Sequence, residues 1–273
     1  MPRIWFVTGS SKGLGLALVE AILADGDTVA ATARKPETLN HLVLKYGSKR
    51  ILPLALDVDS YEEAVRTLKT AVDKFGRIDV IVNNAGYADV AAVEDMSIES
   101  FRQHIDTNLM GVVNVSKAAV PILRKQGSGR IIQVSSVGGR VSTAGLSAYQ
   151  AAKWAVAGFS GVLDAELSPL GIKTTVVEPG GIKTDWASSA DEGLVVSEPY
   201  KQTVGQFEEL RKKYGEYRSE ASQVAAAILN ISKVGDPPLR LLVGPETVEL
   251  AKKASVDLAE SDEKWRPVTV YEA

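Results

Sequence analysis

The feature that most restricts what this chain can fold into is a short apolar run that ends in a glycine-rich turn and passes straight into a helix. Residues Arg3-Ile-Trp-Phe-Val7 show no polar alternation, as expected of a strand covered on both faces. The run stops at Thr8-Gly9-Ser10-Ser11-Lys12-Gly13-Leu14-Gly15. Beyond it Leu14, Ala17, Leu18, Ala21 and Ile22 recur at helical spacing, and Asp25-Gly26 stops the helix after Ala24.

The same order then repeats. Strands over Thr28–Ala33, Ile51–Leu56, Ile78–Val82, Arg130–Val134, Lys173–Val177 and Arg240–Val243 alternate with helices over Pro36–Tyr46, Tyr61–Phe75, Ile98–Lys125, Ala148–Leu167 and Ser222–Ile231. Regular alternation with short connections predicts a parallel sheet, and right-handed crossovers put helices on both faces. The expected class is α/β, a Rossmann-type doubly wound parallel sheet of about seven strands, with its ligand crevice outside the carboxyl ends of the strands. After Thr184 the alternation lapses. Residues 185–217 mix charge with Trp186, Leu194, Val195, Val196, Tyr200, Phe207, Tyr214 and Tyr217 and read as a small substrate lid, while a polar helical tail occupies about 245–273. With no linker and no internal repeat, residues 1–273 are expected to form a single domain.

Composition narrows the chemistry. A net charge of −3 offers no global attraction to nucleic acid or anionic lipid. The absence of cysteine removes disulfides, thiol nucleophiles and thiolate metal sites, and His41 and His104 alone cannot build a zinc site, so no metal is expected. No stretch free of Asp, Glu, Lys and Arg is long enough to span a bilayer, and strand-like sequence from Arg3 leaves no room for a leader. The expected address is the cytoplasm.

A glycine turn that opens a helix suits a pyrophosphate, because the backbone can approach closely and the helix offers free N–H groups and a partial positive charge. The spacing here, Gly-x-x-x-Gly-x-Gly, differs from the Gly-x-Gly-x-x-Gly dinucleotide fingerprint, and an ordinary turn also uses glycine; the flanking strand and helix favour the dinucleotide. NAD-preferring sites place an acid near the end of the second strand to bind the ribose 2′-hydroxyl. That window reads Ala31-Thr32-Ala33-Arg34-Lys35. With no acid, and with Arg34, Lys35 and Lys12 near the same ribose, a 2′-phosphate is favoured, so the cofactor is expected to be NADP(H).

A second constellation carries proton chemistry. Tyr149 and Lys153 lie four residues apart on one face of a helix. A phenol titrates near about 10, and a neighbouring ammonium together with an oxidised nicotinamide lowers that value into a usable range. Ser135 and Ser136 both follow strand Arg130–Val134, and either hydroxyl can polarise a substrate oxygen or cap the turn.

In order along the chain, the turn Thr8–Gly15, Asp57-Val58, Asn83-Asn84-Ala85-Gly86, Asn108, Ser136, Tyr149-x-x-x-Lys153 and Pro179-Gly180 resemble the short-chain dehydrogenases/reductases over about residues 3–184. The resemblance implies a catalytic set of Asn108, Ser136, Tyr149 and Lys153, and it selects Ser136 over Ser135. Asn108 would hold a water linked to Lys153. It places Gly9, Ser11, Lys12, Gly13, Leu14 and Gly15 along the phosphates, Arg34 at the 2′-phosphate, Asp57 and Val58 around adenine, and Asn84, Ala85 and Gly86 along the adenosine ribose. Tyr149 and Lys153 would meet the nicotinamide ribose, with Pro179, Gly180, Ile182 and Thr184 beside the nicotinamide. Capping by Asp57 and a tight strand exit at Asn84–Gly86 are equally available readings of those residues alone.

The implied reaction is reversible hydride transfer between NADPH and the carbonyl of a small to medium apolar ketone or aldehyde, the reverse being alcohol oxidation. Around Asn84–Tyr87 and Ser136–Gly139 the chain is most similar to the hydroxysteroid- and retinol-dehydrogenase-like branch, although Ala152 stands where many relatives have Ser. A homodimer or homotetramer built through helices Ile98–Lys125 and Ala148–Leu167 is implied by analogy. The alternative is an NADP(H)-sensing regulator that binds without turnover.

Overall fold

The computed structural model describes residues 2–183, 196–213 and 218–271. In chain order the elements are β1 Ile4–Val7, α1 Gly13–Ala24, β2 Thr28–Ala33, α2 Asn40–Tyr46, β3 Ile51–Ala55, α3 Tyr61–Phe75, β4 Val80–Asn83, α4 Ile98–Ile105, α5 Gly111–Gln126, β5 Gly129–Val134, α6 Ser147–Leu167, β6 Ile172–Pro179 and β7 Ile182–Lys183. They are followed by α7 Gln206–Lys213, β8 Ser219–Glu220, α8 Ala221–Ile231, β9 Arg240–Val243, α9 Pro245–Lys264 and α10 Arg266–Thr269.

Seven strands form one parallel sheet, as the alternation predicts, and their order is β3-β2-β1-β4-β5-β6-β9. The strand order reverses direction at β1, and the crevice beyond the neighbouring ends of β1 and β4 is where such a sheet accepts a ligand. β7 and β8 make a separate two-stranded ribbon beside the carboxyl end of β6.

Pleating sends alternate side chains of each strand into two layers. Trp5, Val7, Val29, Ala31, Val80 and Val82 face α1 and α8, where Leu18, Ile22, Val224 and Ile228 close the layer. Phe6, Ala30, Ile81 and Ile131 face the other way and meet Ala64 and Leu68 of α3, Val115 and Leu123 of α5 and Leu163 of α6. Each fully buried Leu, Ile or Phe contributes about 2 kcal/mol of transfer free energy, so the sheet is held rigidly between the layers and its carboxyl edge is a fixed platform.

One helix departs from expectation. The pattern over Ile98–Lys125 predicts a single helix, but Asp106–Met110 winds as a π segment between α4 and α5, with the Gly111 N–H reaching back to the Asp106 carbonyl. The extra residue per turn rotates Asn108 inward, where it is fully buried. The tail holds two helices, Pro245–Lys264 and Arg266–Thr269.

Candidate active site

The glycine turn is built around close backbone approach. Gly9 and Gly13 have φ of +66° and +56°, a region that favours glycine. A Cβ on Gly9 would lie 2.8 Å from Ala85 Cα, and one on Gly15 only 2.1 Å from the Gly9 carbonyl oxygen. The turn is tied to the end of β4. Thr8 Oγ1 accepts from the N–H groups of Asn84 and Ala85, both at 3.0 Å, while Asn84 Nδ2 donates to the carbonyls of Thr8 (3.0 Å) and Gly9 (3.1 Å). Thus Asn84 and Ala85 lie against Gly9 as one surface. α1 begins at Lys12 with no side-chain cap and no acid in its first turn, so its N-terminal N–H groups face the turn without a protein anion.

The end of β2 brings cations to the same side. Lys12, Arg34 and Lys35 are exposed, and none of them enters an ion pair among the described residues. Val58 is buried against Gly111, whereas Asp57 is exposed and its Oδ1 accepts the Asp59 N–H at 3.2 Å, the turn-capping bond that its residue type also allows.

Beyond β4 and β5 four predicted residues converge. Lys153 is buried on α6, and its Nζ donates to the Val134 carbonyl at 3.0 Å and lies 5.5 Å from the centre of the Tyr149 ring. A Cβ on Gly86 would lie 3.6 Å from Lys153 Nζ and 2.6 Å from Asn108 Oδ1, so lysine, asparagine and the β4 turn meet there. The Asn108 side chain makes three hydrogen bonds. Its Oδ1 accepts the Tyr87 N–H at 3.2 Å, and its Nδ2 donates to the carbonyls of Tyr87 (2.9 Å) and His104 (3.1 Å).

The two serines separate by orientation. Ser135 is buried and donates to the Lys153 carbonyl at 3.3 Å. Ser136 Oγ accepts the Gly138 N–H at 3.0 Å and hydrogen-bonds Tyr149. Burial pushes the Tyr149 phenol above its ordinary value, and the Ser136 contact works against that rise. Burial pulls Lys153 down to about 8. The lowering of the phenol expected from Lys153 is therefore not visible in the cofactor-free protein, where desolvation dominates both groups.

Pro179 ends β6, Gly180 follows it, and Ile182 opens β7. Thr184, with lid residues Trp186, Leu194, Val195, Tyr214 and Tyr217, lies outside the described residues. Of the other lid residues, Val196, Tyr200 and Phe207 pack on Val90, Ala92 and Val204 in a small satellite cluster.

Sequence reading passed over several residues here. His104 is buried under Tyr87, with ring centres 4.4 Å apart, its Nδ1 meeting the Ser100 carbonyl at 2.8 Å and its Nε2 accepting the Asp89 N–H at 3.0 Å. Glu178 is fully buried between Arg140 and Arg240. The available signal was an acid directly after Val176-Val177 at the end of strand Ile172–Pro179, where a buried carboxylate requires a cation nearby. Among the described residues no helix is long and apolar enough to cross a membrane.

Comparison with known proteins agrees with the motif order. The family described as short chain dehydrogenase matches residues 3–194. Oxidoreductase BOA17 of Botryotinia fuckeliana is 56% identical over the full length of both chains. A short-chain dehydrogenase from Streptomyces avermitilis superposes with a TM-score of 0.90 at 32% identity, covering 100% of each chain. Serine dehydrogenase complexed with NADP+ superposes with a TM-score of 0.78 at 26% identity, covering 90% of this chain and 96% of that one. Motif, topology and likeness together place the chain in the short-chain dehydrogenase/reductase family, as an oxidoreductase.

Proposed function

We propose that the protein is an NADP(H)-dependent carbonyl reductase. The observation that carries this reading is the convergence of Ser136, Tyr149, Lys153 and Asn108 beyond the carboxyl ends of β4 and β5, next to an uncapped helix N-terminus cradled by glycine. A dinucleotide fits this edge. The free N–H groups of α1 suit a pyrophosphate, the glycines let α1 and the end of β4 close on the turn where a Cβ at Gly9 or Gly15 would hold them apart, and three cations with no ion pair among the described residues suit a 2′-phosphate.

The bound nicotinamide would supply the hydride. The remaining steps belong to side chains. Ser136 holds the substrate carbonyl oxygen and polarises it, and Tyr149 gives that oxygen the proton it needs as the carbonyl carbon accepts hydride. Lys153 binds the nicotinamide ribose, and its charge favours the phenolate left on Tyr149. Asn108 holds the water that returns a proton to this pair. Gly9, Ser11, Lys12, Gly13, Leu14 and Gly15 line the phosphates, Arg34 meets the 2′-phosphate, Asp57 and Val58 flank adenine, and Asn84, Ala85 and Gly86 the adenosine ribose. Pro179, Gly180, Ile182 and Thr184 set the nicotinamide face.

The substrate class is a small to medium apolar ketone or aldehyde of the kind handled by the hydroxysteroid- and retinol-dehydrogenase-like branch. The chain acts as a single cytoplasmic domain with a lid at about 185–217, and exposed Trp154 and Val162 on α6 support self-association through the long helices into a homodimer or homotetramer. Loss of reduced-nicotinamide absorbance, measured with NADPH or NADH across a panel of ketones, aldehydes and quinones, tests the reading. Wild type should consume NADPH with at least one carbonyl, and Tyr149→Phe should bind NADPH equally while turning nothing over. Tight NADPH binding without turnover of any panel member would favour a sensor instead.

A further inference from the structure

The turn after β5 and the start of β9 are fastened to one buried carboxylate near the end of β6. Arg140 donates from Nε at 2.7 Å to Glu178 Oε2, and its Nη2 stands 2.5 Å from the same oxygen as an ion pair. Arg240 donates from Nε at 2.9 Å and from Nη2 to Oε1, and the same Nη2 reaches the Gly139 carbonyl at 3.2 Å. Glu178 is completely shielded from solvent, while the two arginine side chains keep 24% and 34% exposure. Each carboxylate oxygen thus meets one guanidinium, Arg240 through a two-bond fork.

The three partners come from separate segments. Arg140 ends the turn Val137–Gly139 that Ser136 caps, with the Gly139 N–H bonded to the Ser136 carbonyl and the Arg140 N–H to that of Val137. Glu178 directly precedes Pro179-Gly180. Arg240 begins β9, whose Val243 carbonyl accepts the Gly180 N–H at 3.0 Å. Stability alone is a poor reason for such a cluster, since apolar residues of similar volume commonly hold a core as well as a buried ion pair does. What forked guanidinium bonds add is fixed direction.

We infer that Arg140, Glu178 and Arg240 form a positioning clamp that fixes the Ser136 turn, which holds the substrate oxygen, against the Pro179-Gly180 turn, which meets the nicotinamide. The inference rests on the carbonyl-reductase reading above. The clamp touches neither substrate nor cofactor and acts through the two turns. Because a misplacement of about 1 Å can cost roughly a hundredfold in rate, loosening it lowers turnover while leaving the phosphate and adenosine contacts, far along the sheet edge, unchanged.

The test uses full-length Arg140→Gln, Arg140→Lys and Glu178→Gln proteins, NADPH, and the panel carbonyl that wild type reduces fastest. Expected are a fall in kcat of about tenfold to a hundredfold for Arg140→Gln and Glu178→Gln, an NADPH Kd within about twofold of wild type, and only partial recovery in Arg140→Lys, whose ammonium donates from a single point. Should Glu178→Gln fail to fold, the partly exposed Arg140→Gln decides. The clamp is overturned by a folded Arg140→Gln with wild-type kcat, by equal losses of kcat and NADPH affinity, or by failure of both Gln variants to fold, which assigns the cluster to stability alone. A wild type that oxidises neither NADPH nor NADH with any panel member overturns the reductase reading instead.

Discussion

Lys153 Nζ bonds the Val134 carbonyl at 3.0 Å on one side and lies 5.5 Å from the Tyr149 ring centre on the other. Among the described residues it has no carboxylate partner. A buried ammonium served only by a carbonyl and an aromatic face is poorly compensated, which is why its proton is held only to about pH 8.

That relationship sets the pH dependence of stability. The unfolded chain keeps the Lys153 proton up to the ordinary 10.5, whereas the folded chain releases it at about 8. Between those values the unfolded state binds more protons, so stability rises with pH; below about 8 the fold carries the full cost, of order 3 kcal/mol. Tyr149 works the other way, since its raised value stabilises the fold only while the phenol stays protonated, and that contribution is lost above about pH 10. Urea midpoints of the cofactor-free protein should therefore climb between about pH 8 and 10, and Lys153→Met should remove most of the climb. Parallel curves for the two proteins would contradict the buried, unpaired ammonium.

Cofactor choice makes a separate prediction. Arg34 is exposed at the end of β2 and enters no ion pair among the described residues, so replacing it with aspartate exchanges a phosphate partner for a ribose-hydroxyl partner without breaking a salt bridge there. Arg34→Asp should weaken NADPH by about thirtyfold to a hundredfold, corresponding to roughly 2–3 kcal/mol for a charge-assisted contact, and should leave NADH unchanged or tighter. Fluorescence titration with both nucleotides gives the ratio, and a ratio equal to wild type would refute the 2′-phosphate assignment.

The split between what the sequence reveals and what it hides follows the range of the interactions. The seven strands and their parallel pairing are legible because each reports on itself through a local run such as Ile131-Ile132 or Val80–Val82, and short connections then leave few topologies. Tyr149 and Lys153 are legible because one helical turn joins them. Ser136 and Ser135 are told apart in the sequence by resemblance alone, and their chemistry separates them only in three dimensions, where the Lys153 carbonyl engages Ser135. The π segment at Asp106–Met110 is invisible to a 3.6-residue pattern, and the Arg140–Glu178–Arg240 cluster joins residues from three separate segments, so no local window contains it.

Asn108 offers a test of the π segment. It is fully buried, and its amide serves the Tyr87 N–H, the Tyr87 carbonyl and the His104 carbonyl together. Asn108→Ala leaves these backbone groups unpaired, at about 1–3 kcal/mol each before relaxation, so a net loss of about 2–4 kcal/mol is expected in denaturant unfolding. Asn108→Asp should be at least as damaging, because a carboxylate cannot donate to two carbonyls. An aspartate variant of wild-type stability would mean that these bonds do not hold the segment.

Gly15 lies on α1, where alanine would ordinarily stabilise a helix by about 1 kcal/mol. Here the added Cβ would stand 2.1 Å from the Gly9 carbonyl oxygen and 2.6 Å from Asn84 Nδ2. Neither neighbour is free to yield. Gly9 sits at φ +66° with no room toward Ala85, and Asn84 Nδ2 is the donor that ties the turn to β4. Overpacking of this kind costs about 1–3 kcal/mol, which reverses the sign that propensity alone predicts. Gly15→Ala should therefore unfold at lower urea than wild type and bind NADPH at least about tenfold more weakly, because α1 must retreat from the turn that its N–H groups serve. A variant that gains stability and keeps its NADPH affinity would show that the helix starts further from Gly9 than these distances state.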